Sequence, residues 1–210
     1  MEHYSAFATC PLFAIPDIRH LRETLVLMDI RFETFPKNAI VLKKGMVVQD
    51  ILLVAEGNVL LQASDYREQL TNIGVMGRGE IFAEALAVSK ERSPVDAISL
   101  SDETVIAYIP LREVLKDLTI AGNLLSIISA RNLGLMKRSA LLMQRTVRDR
   151  ILFYLSLQKD IHHAKTFLVP MSKKELATLL CIDPSALSHE LKKLQDDRLI
   201  KVERNLYTLV

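Results

Sequence analysis

The stretch that decides the fold is residues 172–197, SKKELATLLCIDPSALSHELKKLQDD. Ser172, followed three residues later by Glu175, has the pattern of a capping box, which predicts a helix start. Asp183-Pro184 predicts a second start, because an Asp side chain accepts from free backbone N–H groups and proline is tolerated at the first helical position. We therefore predict two short helices joined by a tight turn at Cys181 and Ile182.

The second predicted helix has an apolar face and a polar face. Leu187, Leu191 and Leu194 recur every three to four residues and are expected to pack inward. Short polar or basic side chains on the other face of such a helix can reach base edges in the major groove of DNA. The pattern favours a helix-turn-helix, and the alternative is an ordinary helical hairpin with a solvated face. The expected base contacts are Ser185, Ser188, His189 and Lys192, and the expected phosphate contacts are Lys173, Lys174, Lys193 and Arg204.

The C-terminal tail and the charge distribution both favour DNA binding. Apolar-rich segments 199–202 and 206–209 flank three polar residues and predict a β-hairpin, the position of a wing. Residues 131–210 carry 15 Lys+Arg and 8 Asp+Glu, a net charge of +7, whereas residues 1–130 carry 12 and 17, a net charge of −5. Since Lys and Arg contacts to phosphates supply most non-specific DNA affinity, this asymmetry indicates an acidic sensor joined to a polyanion binder.

The N-terminal half reads as a β-structure. Between residues 30 and 109, short apolar segments alternate with turn signals such as Pro36-Lys37-Asn38 and Glu56-Gly57-Asn58. Short strands at such intervals predict an antiparallel sandwich or roll. Segment 80–88, EIFAEALAV, is expected to be helical, and so is the segment after Pro16.

After Pro110 the apolar spacing becomes helical, with a short helix predicted over 111–118 and a long one over 121–144. A symmetric dimer is one way to cover an apolar stripe on the long helix, and a dimer of helix-turn-helix units reads a two-fold operator. The alternative is that the stripe packs on its own roll. Its members are Leu125, Ile128, Asn132, Leu135, Ser139 and Leu142.

Composition excludes several classes of protein. The chain has 210 residues, half of them hydrophobic, so it can form a proper core. The uncharged run 118–130 is too short to cross a bilayer, and residues 1–13 have no basic region before an apolar stretch. We expect a cytoplasmic protein that is not inserted in a membrane.

Cysteine and histidine positions argue against a metal centre. Cys10 and Cys181 are too few for a four-thiolate iron–sulfur cluster and too far apart in sequence for a C-x-x-C site. No histidine falls in a predicted strand, which argues against haem ligation inside the roll and against a cupin-like metal enzyme. With no nucleophile beside a base and no P-loop, we expect no enzymatic activity. The five histidines are His3, His20, His162, His163 and His189.

A β-roll, a long helix and a winged helix-turn-helix in this order resemble the CRP/FNR family of bacterial transcription regulators. The resemblance covers nearly the whole chain and implies an α+β fold: a jelly-roll sensor of the cyclic-nucleotide-binding type at 1–118, a dimerisation helix at 119–145 and a winged helix-turn-helix at 146–210. It further implies a homodimer that binds a palindromic operator and touches RNA polymerase. The resemblance rests on Gly45, Glu56-Gly57, Gly79-Glu80, Val147-Arg148-Asp149-Arg150-Ile151 and residues 172–200.

The sequence departs from the family where cyclic nucleotides bind. Family members that bind them have a glycine before the glutamate that holds the ribose, and an Arg-Ser pair ten residues after it. Here Ala83 precedes Glu84, and the count of ten reaches Pro94-Val95, two residues beyond Arg92-Ser93. Leu135-Met136 stands where cAMP binders offer Thr-Ser hydroxyls to adenine.

These departures predict an effector other than cAMP, or none. The resemblance places the effector pocket at Gly79, Ala83, Glu84, Pro94, Val95, Leu135 and Met136. The alternatives are a cyclic-nucleotide-dependent regulator of the same fold and a protein-interaction module that does not bind DNA. In the helix pair, Cys181 fills a turn where glycine is usual, and Pro184 and His189 stand where relatives often have arginine.

Overall fold

The computed structural model describes residues 4–210 and divides the chain into two compact units, Met1–Arg131 and Asn132–Val210. The division falls inside one helix, α5 (Leu118–Leu142), which contributes residues to both units.

The first unit contains two four-stranded antiparallel sheets, which confirms the predicted roll. One sheet has the order β1-β8-β3-β6 and the other the order β2-β7-β4-β5. The strands are β1 (Arg31–Pro36), β2 (Ile40–Leu42), β3 (Asp50–Glu56), β4 (Val59–Ser64), β5 (Leu70–Met76), β6 (Ile81–Phe82), β7 (Asp96–Ser99) and β8 (Glu103–Pro110).

The turn between β3 and β4 explains why the sequence has Gly57. Its φ of +78° suits glycine, and a Cβ there would lie 2.7 Å from Thr104 Oγ1 and 2.8 Å from the carbonyl oxygen of Glu103. The turn can therefore pass this close to the start of β8 only because residue 57 has no side chain.

The prediction of a helix over 80–88 was wrong for its first half. Ile81 and Phe82 form β6, where they pair with Leu53 and Leu52 of β3 and are both buried. Helix α3 (Glu84–Ser89) begins only after Ala83, whose φ of +61° breaks the strand. Sheet pairing with β3 thus overrides the helical composition of this segment.

Helices cover one side of the first core. The helix predicted after Pro16 is α2 (Ile18–Leu27), whereas α1 (Tyr4–Thr9) and a 3₁₀ helix (Pro11–Phe13) were not predicted. A short α4 (Leu111–Val114) precedes α5. Together these helices bury Phe7, Leu12, Phe13, Leu21, Leu25, Val114, Ile120 and Leu124 against strand residues such as Ile51, Leu53 and Ile109.

Helix α5 presents two kinds of apolar residue. Ile120 and Leu124 are buried, and Ile128 packs partly against the first core, as the second interpretation of the stripe expected. Leu125 and Leu135, in contrast, are each 67% exposed. The predicted stripe is therefore divided between residues that the first unit covers and residues that it leaves uncovered.

The second unit is the predicted winged helix-turn-helix. After the end of α5 it contains α6 (Val147–His162), β9 (Thr166–Leu168), α7 (Lys173–Leu179), α8 (Pro184–Asp196), β10 (Ile200–Glu203) and β11 (Leu206–Leu209). The hairpin β10–β11 was predicted, but β9 was not, and the three strands form one sheet in the order β10-β11-β9. Leu155, Leu176, Leu180, Leu187, Leu194 and Ile200 form its core.

Within the part of the chain that the structure describes, no helix combines the length and apolarity needed to cross a membrane.

Candidate nucleic-acid interface and effector positions

Both predicted helix starts in the helix-turn-helix are present. Ser172 Oγ accepts from the N–H of Glu175, and the Glu175 carboxylate accepts from the N–H of Ser172, which completes the capping box. Asp183 accepts from the N–H groups of Ser185 and Ala186 at the start of α8. Hydrogen bonds from Ser172 lower the pKa of Glu175, and those from Ser185 and Ala186 lower the pKa of Asp183.

The polar face of α8 is exposed as predicted from its spacing. Ser185, Ser188, His189 and Lys192 are all exposed, while Leu187, Leu191 and Leu194 are buried on the opposite face. The four exposed residues follow the three-four spacing of a single helix face. The expected phosphate contacts Lys173, Lys174, Lys193 and Arg204 are likewise exposed.

One groove brings together four of the eight predicted DNA contacts. It is lined by Lys173 at the start of α7, by Ser188 and Lys192 on α8, and by Arg204 at the tip of the β10–β11 hairpin. Three cations from three separate elements thus converge beside the exposed face of α8. Ser185, His189, Lys174 and Lys193 do not line this groove.

Several of the predicted side chains already have partners within the chain. The Ser185 hydroxyl donates to Asp183, and the Ser188 hydroxyl donates to the carbonyl oxygen of Pro184 at 2.9 Å. Lys193 lies 3.9 Å from the carboxylate of Glu190. Both serines can still accept hydrogen bonds, but their hydroxyl protons are committed to the helix start.

Sequence reasoning missed residues that hold α8 in place. Gln195, which also lines the groove, accepts from the N–H of Val202 at 3.1 Å and so ties α8 to the hairpin. Arg148 donates to Asp197 at 2.6 Å and to Glu190 at 3.5 Å, which ties α6 to α8. Only the family resemblance pointed to Arg148, and no local pattern pointed to Gln195.

A second arginine, Arg150, fixes the turn between α7 and α8. It donates to the carbonyl oxygens of Leu180 at 3.1 Å and Cys181 at 3.2 Å, and to that of Gln144 at 3.3 Å. Cys181 is exposed and has a φ of +52°, so the turn adopts the left-handed conformation that favours glycine although its residue carries a side chain.

In the first unit, Glu84 is engaged by an arginine of the same chain. Glu84 is 5% exposed, and its carboxylate forms an ion pair with Arg131 on α5. Arg131 also donates to the carbonyl oxygen of Ile81 at 2.8 Å. The carboxylate that the resemblance assigns to a ribose is therefore neutralised without a ligand.

Gly79 and Ala83 both adopt a left-handed backbone conformation. Gly79 is buried with a φ of +83°, and a Cβ there would lie 2.6 Å from Thr9 Oγ1. Ala83 adopts a φ of +61° immediately before Glu84. The chain therefore keeps a left-handed turn at Ala83, where the family has glycine.

The segment after α3 contains both Arg92-Ser93 and Pro94-Val95, the pairs compared with the family's Arg-Ser position. Pro94 is exposed, and Val95 is partly buried, with its carbonyl oxygen accepting from Ser93 Oγ at 2.7 Å. Arg92 donates to the carbonyl oxygen of Gly45 at 2.9 Å, and Ser93 is 2% exposed. Ser93 is thus a structural residue of this loop.

The remaining effector candidates lie in the second unit. Leu135 and Met136 are on α5 beyond Arg131, and their side chains are 67% and 60% exposed. Neither side chain has a hydroxyl that could bond to a purine.

No metal-binding cluster occurs among residues 4–210, where no three His, Cys, Asp or Glu side chains lie close enough together to hold an ion. Cys10 is buried and Cys181 is exposed, both as free thiols, and burial raises the pKa of Cys10 to about 11. His20, His162 and His189 are in helices and His163 follows α6, while His3 lies outside the described residues.

Comparison of the sequence with known families matches both units. Residues 32–118 match the cyclic nucleotide-binding domain, and residues 139–210 match the Crp-like helix-turn-helix domain. The chain belongs to the CRP/FNR family. This CRP/FNR protein is thus a transcription regulator with a helix-turn-helix DNA-binding domain, and its family consists of regulators rather than enzymes.

Solved structures share the fold of this CRP/FNR protein at low sequence identity. The catabolite activator protein of Thermus thermophilus is 20% identical, with a TM-score of 0.52 over 95% of this chain and 93% of that one. A regulatory protein of Silicibacter pomeroyi has the same identity and TM-score over 99% of this chain and 94% of that one. The c-di-GMP-responsive regulator CLP of Xanthomonas campestris is 20% identical, with a TM-score of 0.50 over 92% and 99%. No curated protein matches the sequence.

Proposed function

We propose that this protein is a homodimeric, sequence-specific transcription regulator that binds a palindromic operator and is not controlled by cAMP. The groove lined by Lys173, Ser188, Lys192 and Arg204 is the observation that carries the DNA-binding part. Cations from α7, α8 and the wing can hold phosphates on both sides of a major groove while α8 presents its polar face to the bases. The family likeness adds contact with RNA polymerase to this proposal, and a DNA target is consistent with a cytoplasmic location.

Exposed apolar residues on α5 support the homodimer. Leu118, Leu125, Met136 and, just beyond the end of α5, Met143 fall on one face with heptad spacing, and their exposed fractions are 88%, 67%, 60% and 77%. Small or polar residues, among them Gly122 and Asn132, fill the intervening positions. Two copies of such a helix can bury these residues against each other, and a polar residue in the seam favours one register.

The Glu84–Arg131 ion pair supports the exclusion of cAMP. A cyclic nucleotide would have to displace Arg131 from Glu84, and it would find no hydroxyl at Leu135 or Met136. Breaking this ion pair is costly, because the buried Glu84 carboxylate then needs a new partner.

The DNA-binding proposal is tested by selecting sequences from a random duplex library with the full chain, followed by fluorescence anisotropy on the enriched duplex. The expected result is an inverted repeat whose half-sites are about one helical turn apart, and affinity that falls steeply with salt. An enriched sequence without two-fold symmetry would contradict the dimeric operator. No enrichment at low salt would favour a protein-interaction module instead.

The effector part is tested by calorimetry of the full chain with cAMP and with cGMP. We expect no heat of binding at micromolar concentrations for either. Micromolar binding of one of them would show a cyclic-nucleotide-dependent regulator and would contradict this part without affecting the DNA-binding part.

A further inference from the structure

A cleft on the first unit, separate from the family's nucleotide position, has the dimensions of a small-molecule site. Its volume is about 490 Å³, within the range of roughly 300–1,000 Å³ typical of ligand pockets. Residues from β1, β3, α3, α4 and the loops that adjoin them line it, so its walls come from several parts of one compact unit.

The cleft combines an apolar surface with charged groups. Its apolar surface comes from Val47, Ala87, Pro110, Leu111 and Leu115. Val47 and Leu115 are 47% and 58% exposed, which leaves apolar area available to a ligand. Burial of that area against an apolar body would be favourable.

Two of the three cations in the cleft are already paired. Arg31 donates to Asp50 at 2.8 Å, and Arg112 lies 3.9 Å from Asp29. Lys90, at the C-terminal end of α3, forms no ion pair or side-chain hydrogen bond with any residue in the described range 4–210. The cleft therefore offers one uncommitted positive charge.

These charges select one class of ligand. A single uncommitted ammonium group suits one carboxylate. Asp29 and Asp50 offset the charges of Arg112 and Arg31, so the lining has a net charge of only +1, which is too little to balance a phosphate-rich ligand such as a nucleotide. The apolar surface beside Lys90 suits a short hydrocarbon body. Together these features favour an organic monocarboxylic acid over a nucleotide.

We propose that this cleft binds an organic monocarboxylate with an apolar body, and that this ligand is the effector of the regulator. The assignment as effector rests on the proposed function, whereas binding itself does not. Helix α3 provides the connection: Ala87 and Lys90 line the cleft, and Glu84 at the other end of the same six-residue helix forms the ion pair with Arg131 of α5. A ligand that shifts α3 therefore acts on the contact that ties the roll to the long helix.

The binding step is tested by calorimetry of the full chain with sodium octanoate, hexanoate and the uncharged 1-octanol. We expect one octanoate per chain with a dissociation constant below about 1 mM, weaker binding of hexanoate and none of octanol. Lys90→Gln should weaken octanoate binding about tenfold, because the ligand loses its charge-assisted contact. The matched control is Lys43→Gln, an exposed lysine of the same unit outside the cleft, which should bind like the wild type.

Three results would overturn the proposal. One is a dissociation constant for octanoate above about 1 mM. The others are an equal loss of octanoate affinity in the Lys90 and Lys43 variants, and binding of octanol as tight as that of octanoate. A second variant, Leu115→Asp, places a carboxylate in the apolar wall at a half-exposed site that is not part of the core, and it should abolish binding while leaving the melting temperature nearly unchanged. The effector step is then tested by anisotropy on the selected operator. A change of operator affinity with octanoate supports it, and binding of octanoate without any change overturns the effector role alone.

Discussion

The charged candidate recognition residues are exposed in one unit and buried in the other. In the helix-turn-helix, the charged side chains expected to contact DNA are exposed, and three of them converge on one groove. In the roll, the one charged residue at the family's ligand position, Glu84, is buried and paired with Arg131. The comparison shows that residues matching the family pattern can remain exposed for a ligand in one unit, while in the other unit such a residue serves as an internal structural contact.

The largest effect is expected from changes in the exposed groove of the helix-turn-helix. Replacing Lys173, Lys192 and Arg204 together by alanine should lower operator affinity by about 100-fold or more and reduce the slope of log affinity against log salt by roughly 2–3. The measurement is anisotropy across a salt series. The matched control replaces Arg19, Lys37 and Lys43, which are exposed cations of the first unit, and should leave both quantities unchanged. An equal loss in the control would mean that non-specific charge, rather than the groove, carries DNA binding.

The internal Glu84–Arg131 contact of the first unit is tested by Arg131→Met. This change leaves the Glu84 carboxylate buried without its partner and should destabilise the first unit by about 2–3 kcal/mol, less than for a fully buried pair because Arg131 is 43% exposed on its side chain. The double change Glu84→Gln/Arg131→Met should recover part of the loss. Amide hydrogen exchange of β3 measures the change in stability of the first unit. If the single and double variants exchange equally fast, the pair contributes nothing to stability.

His189 tests whether the exposed face of α8 reads bases. His189→Ala removes one hydrogen-bonding side chain and should reduce discrimination at one base pair of each half-site by about 1 kcal/mol. Library selection with the variant measures the preference directly. Lys174→Ala serves as the control and should weaken binding to all sequences alike. An unchanged motif for His189→Ala would contradict the base-reading role.

The smallest expected effect concerns one feature that the units share. Ala83 and Cys181 both adopt a positive φ, +61° and +52°, at positions where glycine avoids the clash of a Cβ. Ala83→Gly and Cys181→Gly should therefore each stabilise their own unit by about 0.5–1 kcal/mol, after the entropy cost of glycine is subtracted. Thermal melting measures the shift, and Ala130→Gly in the middle of α5 is the control, which is expected to destabilise the protein. Destabilisation by Ala83→Gly would show that its methyl group packs usefully.

The parts of the fold that could be predicted depend on short-range signals. The starts of α7 and α8 follow from side chains that bond to the backbone two or three residues away, and these are visible in the sequence. The strand β6 could not be predicted, because its pairing with β3 decides it against a helical composition. The three-residue strand β9 carries too few residues for a periodic pattern.

The same division holds for the candidate sites. The exposed face of α8 follows from helical spacing, so its residues could be named in advance. The partners of Glu84 and Gln195 could not, since Arg131 is 47 residues from Glu84 and the Gln195–Val202 contact joins a helix to a strand. Spacing along the chain carries no information about such tertiary contacts.

The sheet order β10-β11-β9 determines how the DNA-binding part could be transplanted. The middle strand, β11, follows the helix pair in sequence, and one of its neighbours, β9, precedes that pair, so the two helices form an insert between strands of a single sheet. A graft limited to 172–197 would leave behind every strand that supports it. The smallest portable cassette starts at α6, whose Arg148 and Arg150 hold the helices, and keeps β11 to its last residue.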